Sequence, residues 1–293
     1  MDFDTFIDTA WADHATDPNA VAQRLADGMT LVGDESQLAA LAKLAHHLHG
    51  EHLGEWRAGI DFIQHLCTLA PYVPQGQSGQ TVRLCVASLA LSQQPMHELD
   101  SVSPTLSTSD RIRVGAMAAA NLAERDTPRA LHLFRASLDL AQHAGLAAND
   151  PMHRALAVAG HNLACTLEEK MPRSAEEREL MVLAAQASRR CWELAGTWLE
   201  VERAEYRLAM TWLQAGDLVR ARTHAQSCLG IVAANHGAAL ERFFGFEALS
   251  LVERAAGRQI EHAQSLMGAR AAFAELEPAD QAWCAASVDK LAA

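Results

Sequence analysis

Aromatic side chains are scarce in this chain of 293 residues, at 5% of the total, although 49% of its residues are hydrophobic. The apolar half is built from Ala and Leu rather than from the Val, Ile, Tyr and Phe that sheets favour. That balance argues against a sheet-dominated fold and for an all-α one, since Ala and Leu lead the helix scale.

Cysteine pairs are missing too. The six cysteines, at 67, 85, 165, 191, 228 and 284, are scattered singly through apolar text without a Cys-x-x-Cys pair. They read as reduced core residues rather than a disulfide framework or a zinc cluster. No segment approaches the roughly 20 uninterrupted apolar residues of a membrane helix. The opening MDFDTFIDTAW carries Asp2, Asp4 and Asp8 where a secretory signal would carry basic residues, so a cytoplasmic protein is expected. Positive charge is also in deficit. The formal net charge of -12 argues against nucleic acid and anionic membranes as partners. Signatures of catalysis are absent in every class considered: a Gly-rich phosphate loop, a nucleophile elbow, His-Glu-x-x-His and a dinucleotide fingerprint. A non-catalytic protein without cofactor is expected, although His153, His161, Cys165 and Glu168 stand near one another in sequence.

What the chain does have is helical periodicity broken by short turn signals. In the first third, helices are predicted near 3–14, 17–31, 35–48, 52–70 and 79–93, with Thr16-Asp17-Pro18 and Gly33-Asp34 as stops and caps. Two polar loops, 71–80 and 94–110, interrupt this text. From 111 onward the helices come in pairs: 109–125 with 127–144, 151–170 with 174–195, 198–214 with 217–234, and 237–256 with 259–275. A last helix, 278–292, caps the series, opened by Pro278. Met117-Ala118, Leu163-Ala164, Leu208-Ala209 and Leu249-Ser250 stand at equivalent positions, a repeat of about 41 to 46 residues. Residues 1–110 are therefore read as an N-terminal helical region, its repeats divergent but continuous with a repeat array over 111–293.

The best unit, RLAMTWLQAGDLVRARTHAQSCL, places Leu208-Ala209, Trp212, Gly216, Ala221, Ala225 and Cys228 at tetratricopeptide (TPR) offsets. The chain resembles the long-repeat TPR-like arrays of bacterial regulators over roughly 111–275, most closely at 198–234. It departs from them in lacking Trp at the fourth position of each unit and in carrying Glu253 where a large aromatic belongs. The resemblance implies a right-handed α-α superhelix whose first helices line a concave groove for a protein or peptide. Carried over by position, the groove would hold Arg203, Tyr206, Met210, Leu213 and Gln214 from the third unit. The second unit would add Val158, His161, Cys165, Glu168 and Glu169, and the first Ile112, Gly115 and Ala119. The Lys and Asn pattern of the carboxylate clamp is absent, which disfavours a chaperone-tail adaptor. Two other readings stay open: a regulatory sensor of a small ligand or signal peptide, and a self-associating unit or homodimer using 236–256.

The segment HHLHGEH concentrates possible metal ligands. His46 and His49, three apart, share one helix face, and His52 follows Gly50. A histidine-rich helix end is the plainer reading, so no metal is expected, with His46, His49 and His52 as the weak candidates. Trp192, Trp198 and Trp212 are expected to fill the repeat seam, and Phe243, Phe244 and Phe246 cannot all face one seam.

Overall fold

Aspartate starts many of these helices. The side chains of Asp2, Asp17, Asp34, Asp126, Asp150 and Asp217 each accept a hydrogen bond from a backbone N–H of the helix they precede. Pro18 and Pro151 occupy first-turn positions where their missing N–H is harmless. Ser174 with Glu177, and Thr197 with Glu200, form reciprocal capping boxes.

The computed structural model describes residues 1–94, 99 and 106–292. Among them are fourteen α-helices and no strand. They are α1 (Phe3–Asp13), α2 (Pro18–Leu31), α3 (Glu35–His47), α4 (Trp56–His65), α5 (Gln77–Gln93), α6 (Thr108–Leu122) and α7 (Thr127–His143). After these come α8 (Pro151–Glu169), α9 (Ala175–Ala195), α10 (Trp198–Ala215), α11 (Leu218–Ala234), α12 (Ala239–Ala255), α13 (Gln259–Ala274) and α14 (Pro278–Ala292). The predicted helices appear with small shifts at their ends, and most of the 94–110 loop lies outside the described residues. No helix among the described residues is long and apolar enough to cross a membrane.

The region expected as a continuous helix end and restart, 48–52, is instead a π-turn, Leu48–His52, joined directly to α3. A Cβ on Gly50 would sit 2.2 Å from Asn121 Oδ1, so glycine lets this turn press against α6. The expected 52–70 helix is shortened to α4 and a 3-10 turn, Leu66–Thr68.

The chain divides into two compact units, 1–147 and 148–293. The helices α6 and α7, which the repeat register groups with the later hairpins, fall within the first of these units. In the first unit, α3 packs on α5, α4 on α5, and α5 on α6, around Leu38, Leu41, Leu44, Leu48, Ile63 and Leu89. The second unit is a series of antiparallel hairpins, α8 with α9, α10 with α11, and α12 with α13. In it α10 touches α8 and α9 on one side and α12 on the other.

The small residue of each Leu-Ala or equivalent pair, Ala118, Ala164, Ala209 and Ser250, is fully buried. Gly216, at φ 84°, makes the left-handed turn between α10 and α11. Trp192 and Trp212 are buried as expected. Trp198 is not, because it opens α10 and lies half-exposed beside Gly237. Phe243 is fully buried, and Phe244 and Phe246 pack partly buried against the same cluster, with Trp283 of α14 edge-on to Phe244. The last helix thus meets part of the 236–256 segment through Trp283.

Candidate functional site

The first helices of the three hairpins of the second unit share one polar seam. Repeat position explains it: His161, Tyr206 and Glu247 each stand two residues before the small-residue pair of their own unit. On α10 and α12 two of these equivalent residues meet. The Tyr206 hydroxyl donates to Glu247 Oε2 at 3.0 Å, joining α10 to α12. Burial, reinforced by the Glu247 charge, pushes the phenol far above its ordinary range, so it remains a donor.

From α8, Glu168 reaches across to α10. It accepts from Arg207 Nη1 at 2.5 Å and from the Thr211 hydroxyl. Burial pushes this carboxyl up while Arg207 and Thr211 pull it back. Beside it, Cys165 Sγ lies 3.5 Å from His161 Nε2. Burial raises the thiol and holds the imidazole down at about 4, where Arg207 adds to the effect. At neutral pH the two are an uncharged thiol and an uncharged imidazole. That is the opposite of the ion pair that activates a cysteine nucleophile.

The remaining residues assigned to the groove separate into exposed and enclosed sets. Arg203 is exposed and pairs with Glu241 at 3.2 Å. Gln214 is exposed and accepts from Arg173 Nη2 at 2.8 Å. Met210 is half-buried against Ala209, Ala225 and Ala248, and Leu213 is half-buried. Val158 is exposed. By contrast Ile112, Gly115 and Ala119 are buried and offer nothing to a partner. Tyr206, expected as an anchor for a partner, is half-buried and fastens α10 to α12.

Sequence reading missed the acidic side of this seam. Glu202, Glu205, Glu241, Glu247 and Glu253 are all buried. Glu205 is held by Arg189 Nε and His224 Nδ1, each at 2.6 Å. Glu253 is held by Arg222 at 2.5 Å and lies 3.5 Å from Arg258. Glu202 accepts from Cys228 Sγ at 2.8 Å, and burial raises it to about 7. Glutamates recurring inside an Ala/Leu face were the available signal. Surface helices carry the same letters, however, and only packing tells the two apart.

Two clefts lie away from the seam. One of about 480 Å³ is lined by Leu229, Val232, His236, Arg242 and Phe246. The other, about 560 Å³, is lined by Arg178, Val182, Gln186, Trp212 and Asp217. The histidines named in the sequence do not come together as one ligand set. His46 is buried with Nε2 3.1 Å from Ser88 Oγ, and His49 Nδ1 lies 3.5 Å from Glu55, while His52 faces His47. Comparison with family models, with curated proteins and with solved structures returns no match.

Proposed function

We propose that the hairpins α8 to α13 form a TPR-like, right-handed superhelix that binds a protein or peptide along the face of its first helices, as a non-catalytic cytoplasmic scaffold. The observation that carries this reading is the asymmetry of the stack. First helix α10 touches both α8 and α12, whereas the second helices α9, α11 and α13 have no comparable contact with one another. Hairpins closer along one edge curve towards that edge, which makes the first-helix side the inner one. That side presents exposed Val158, Arg203 and Gln214 around half-buried His161, Cys165 and Met210. The mixture suits an extended peptide or a helix with apolar anchors and a few polar contacts.

Peptide display on the full chain tests the reading. Enriched peptides should lose affinity about tenfold, ~1.4 kcal/mol, on Val158→Glu and on Arg203→Gln. They should bind normally to Val219→Glu, a change at an exposed position of second helix α11. Peptides that bind all four proteins alike, or the absence of any enrichment, would remove the first-helix face as the binding surface.

A further inference from the structure

A second constellation lies wholly within the first unit and is independent of the seam. His14 follows α1 as its C-cap, His47 ends α3, and His52 ends the π-turn. Their rings converge, with centroids 5.0 Å apart for His14 and His47, 5.1 Å for His14 and His52, and 4.7 Å for His47 and His52. One nitrogen from each lies within 4.8 Å of those of the other two, and all three residues are partly exposed. In an α-helix, residues five apart point in different directions. The i to i+5 bonding of a π-turn brings them one above the other, which is how His47 and His52 meet with Nε2 atoms 3.0 Å apart.

Hydrogen bonds around the cluster fix which nitrogens are available. His14 Nδ1 lies 2.5 Å from the Trp11 carbonyl, an acceptor, so Nδ1 carries the hydrogen and Nε2 keeps its lone pair. His47 Nδ1 lies 2.9 Å from Glu51 Oε1, which imposes the same tautomer and leaves His47 Nε2 as a donor of electrons. Carbonyl and carboxylate partners of this kind are what orient metal-ligating histidines. The backbone is anchored as well. Arg125 donates to the carbonyls of Glu51 at 2.6 Å and His52 at 2.7 Å, and Trp56 Nε1 donates to that of Gly50 at 3.2 Å. With His47 Nε2 bare, its 3.0 Å contact is a hydrogen bond donated by His52 Nε2. A metal ion would take the place of that hydrogen as His52 shifts its proton to Nδ1. Zinc-bound nitrogens in tetrahedral geometry stand roughly 3.3 Å apart, close to this spacing.

We propose that His14, His47 and His52 bind a late first-row divalent metal ion, Zn2+ in the first instance, through three imidazole nitrogens, with Glu51 orienting His47 and water in the fourth position. Three histidines and an open position favour zinc and its neighbours over calcium or magnesium, which take oxygen ligands.

Titration of the full chain with Zn2+ alone, in competition with a chromophoric chelator, tests this. One ion per chain should bind, and His14→Gln and His52→Gln should each weaken it at least roughly tenfold, with Glu51→Gln about tenfold weaker as the loss of an orienting partner. His49→Gln, outside the cluster, should leave affinity unchanged. Far-ultraviolet circular dichroism establishes that each variant folds, and His14, at the surface end of α1, serves if His52→Gln does not. With Co2+ in place of zinc, the visible bands should lack the thiolate charge-transfer absorption that a cysteine site would add. No binding at submillimolar Zn2+, a thiolate band, or affinity within twofold of wild type in both His14→Gln and His52→Gln would overturn the proposal.

Discussion

Tyr206 and Glu247 hold α10 against α12 through one hydrogen bond, a phenol hydroxyl donating to a carboxylate at 3.0 Å. Both side chains are largely enclosed, so neither exchanges this partner for water without cost. Tyr206→Phe keeps the ring packed against Phe244 and removes only the hydroxyl. The variant is expected to lose about 1–3 kcal/mol of stability, because Glu247 is left without its donor. Urea denaturation at neutral pH, with an unchanged slope, checks it.

Glu202 links stability to pH. Its folded-state value of about 7 lies above the unfolded carboxyl value of 4.5, so the folded chain holds this proton more tightly. The contribution is fully present below pH 4.5, falls as pH rises through about 7, and is gone above that. Glu202→Gln removes the charge that burial opposes. Relative to wild type, the variant should therefore gain up to roughly 2–3 kcal/mol at pH 8, and the gain should shrink towards pH 5. Paired denaturation curves at the two pH values measure the difference.

Glu253 occupies the place where the repeat elsewhere carries Trp212, and it is 1% exposed. Its carboxylate holds Arg222 of α11. Glu253→Ala leaves a cavity and an unpaired guanidinium that is itself partly solvated, and should cost about 2–4 kcal/mol. Restoring size alone with Glu253→Gln should recover part of that loss. Thermal melts of the two variants side by side separate the packing loss from the charge loss.

Gly50→Ala would drive a β-carbon into Asn121, whose amide donates to Ser88 and Ser92 in the core of the first unit. An expected loss of about 1–3 kcal/mol follows from overpacking. A lowered melting temperature, relieved in part by Asn121→Ala, would identify this contact as the cause.

Helix positions were legible because their signals are local. Asp17-Pro18, Asp150-Pro151 and Gly216-Asp217 act within a few residues of where they stand, and each begins or ends a helix as expected. The buried small residues Ala118, Ala164, Ala209 and Ser250 were legible for a related reason, since a packed seam imposes its spacing on the sequence. The π-turn was not, because Gly50 reads as a helix breaker until Asn121 and Arg125 are known to meet that turn. For the same reason His14 was overlooked. Its distance along the chain from His47 and His52 gives no hint of the packing that joins them. Buried glutamates were hidden most thoroughly, since the group that holds each one, an arginine for Glu205 and Glu253, a thiol for Glu202 and a phenol for Glu247, arrives from another helix.

Those cations have a consequence for how the second unit tolerates rearrangement. Glu168 answers to Arg207, Glu205 to Arg189, Glu241 to Arg203 and Glu253 to Arg222, each across a different helix junction. In an array joined only by Ala and Leu, neighbouring hairpins would be interchangeable parts, open to duplication, deletion or slippage. Here both junctions between hairpins carry their own address, and a hairpin moved to another place would bury a charge with no counterpart.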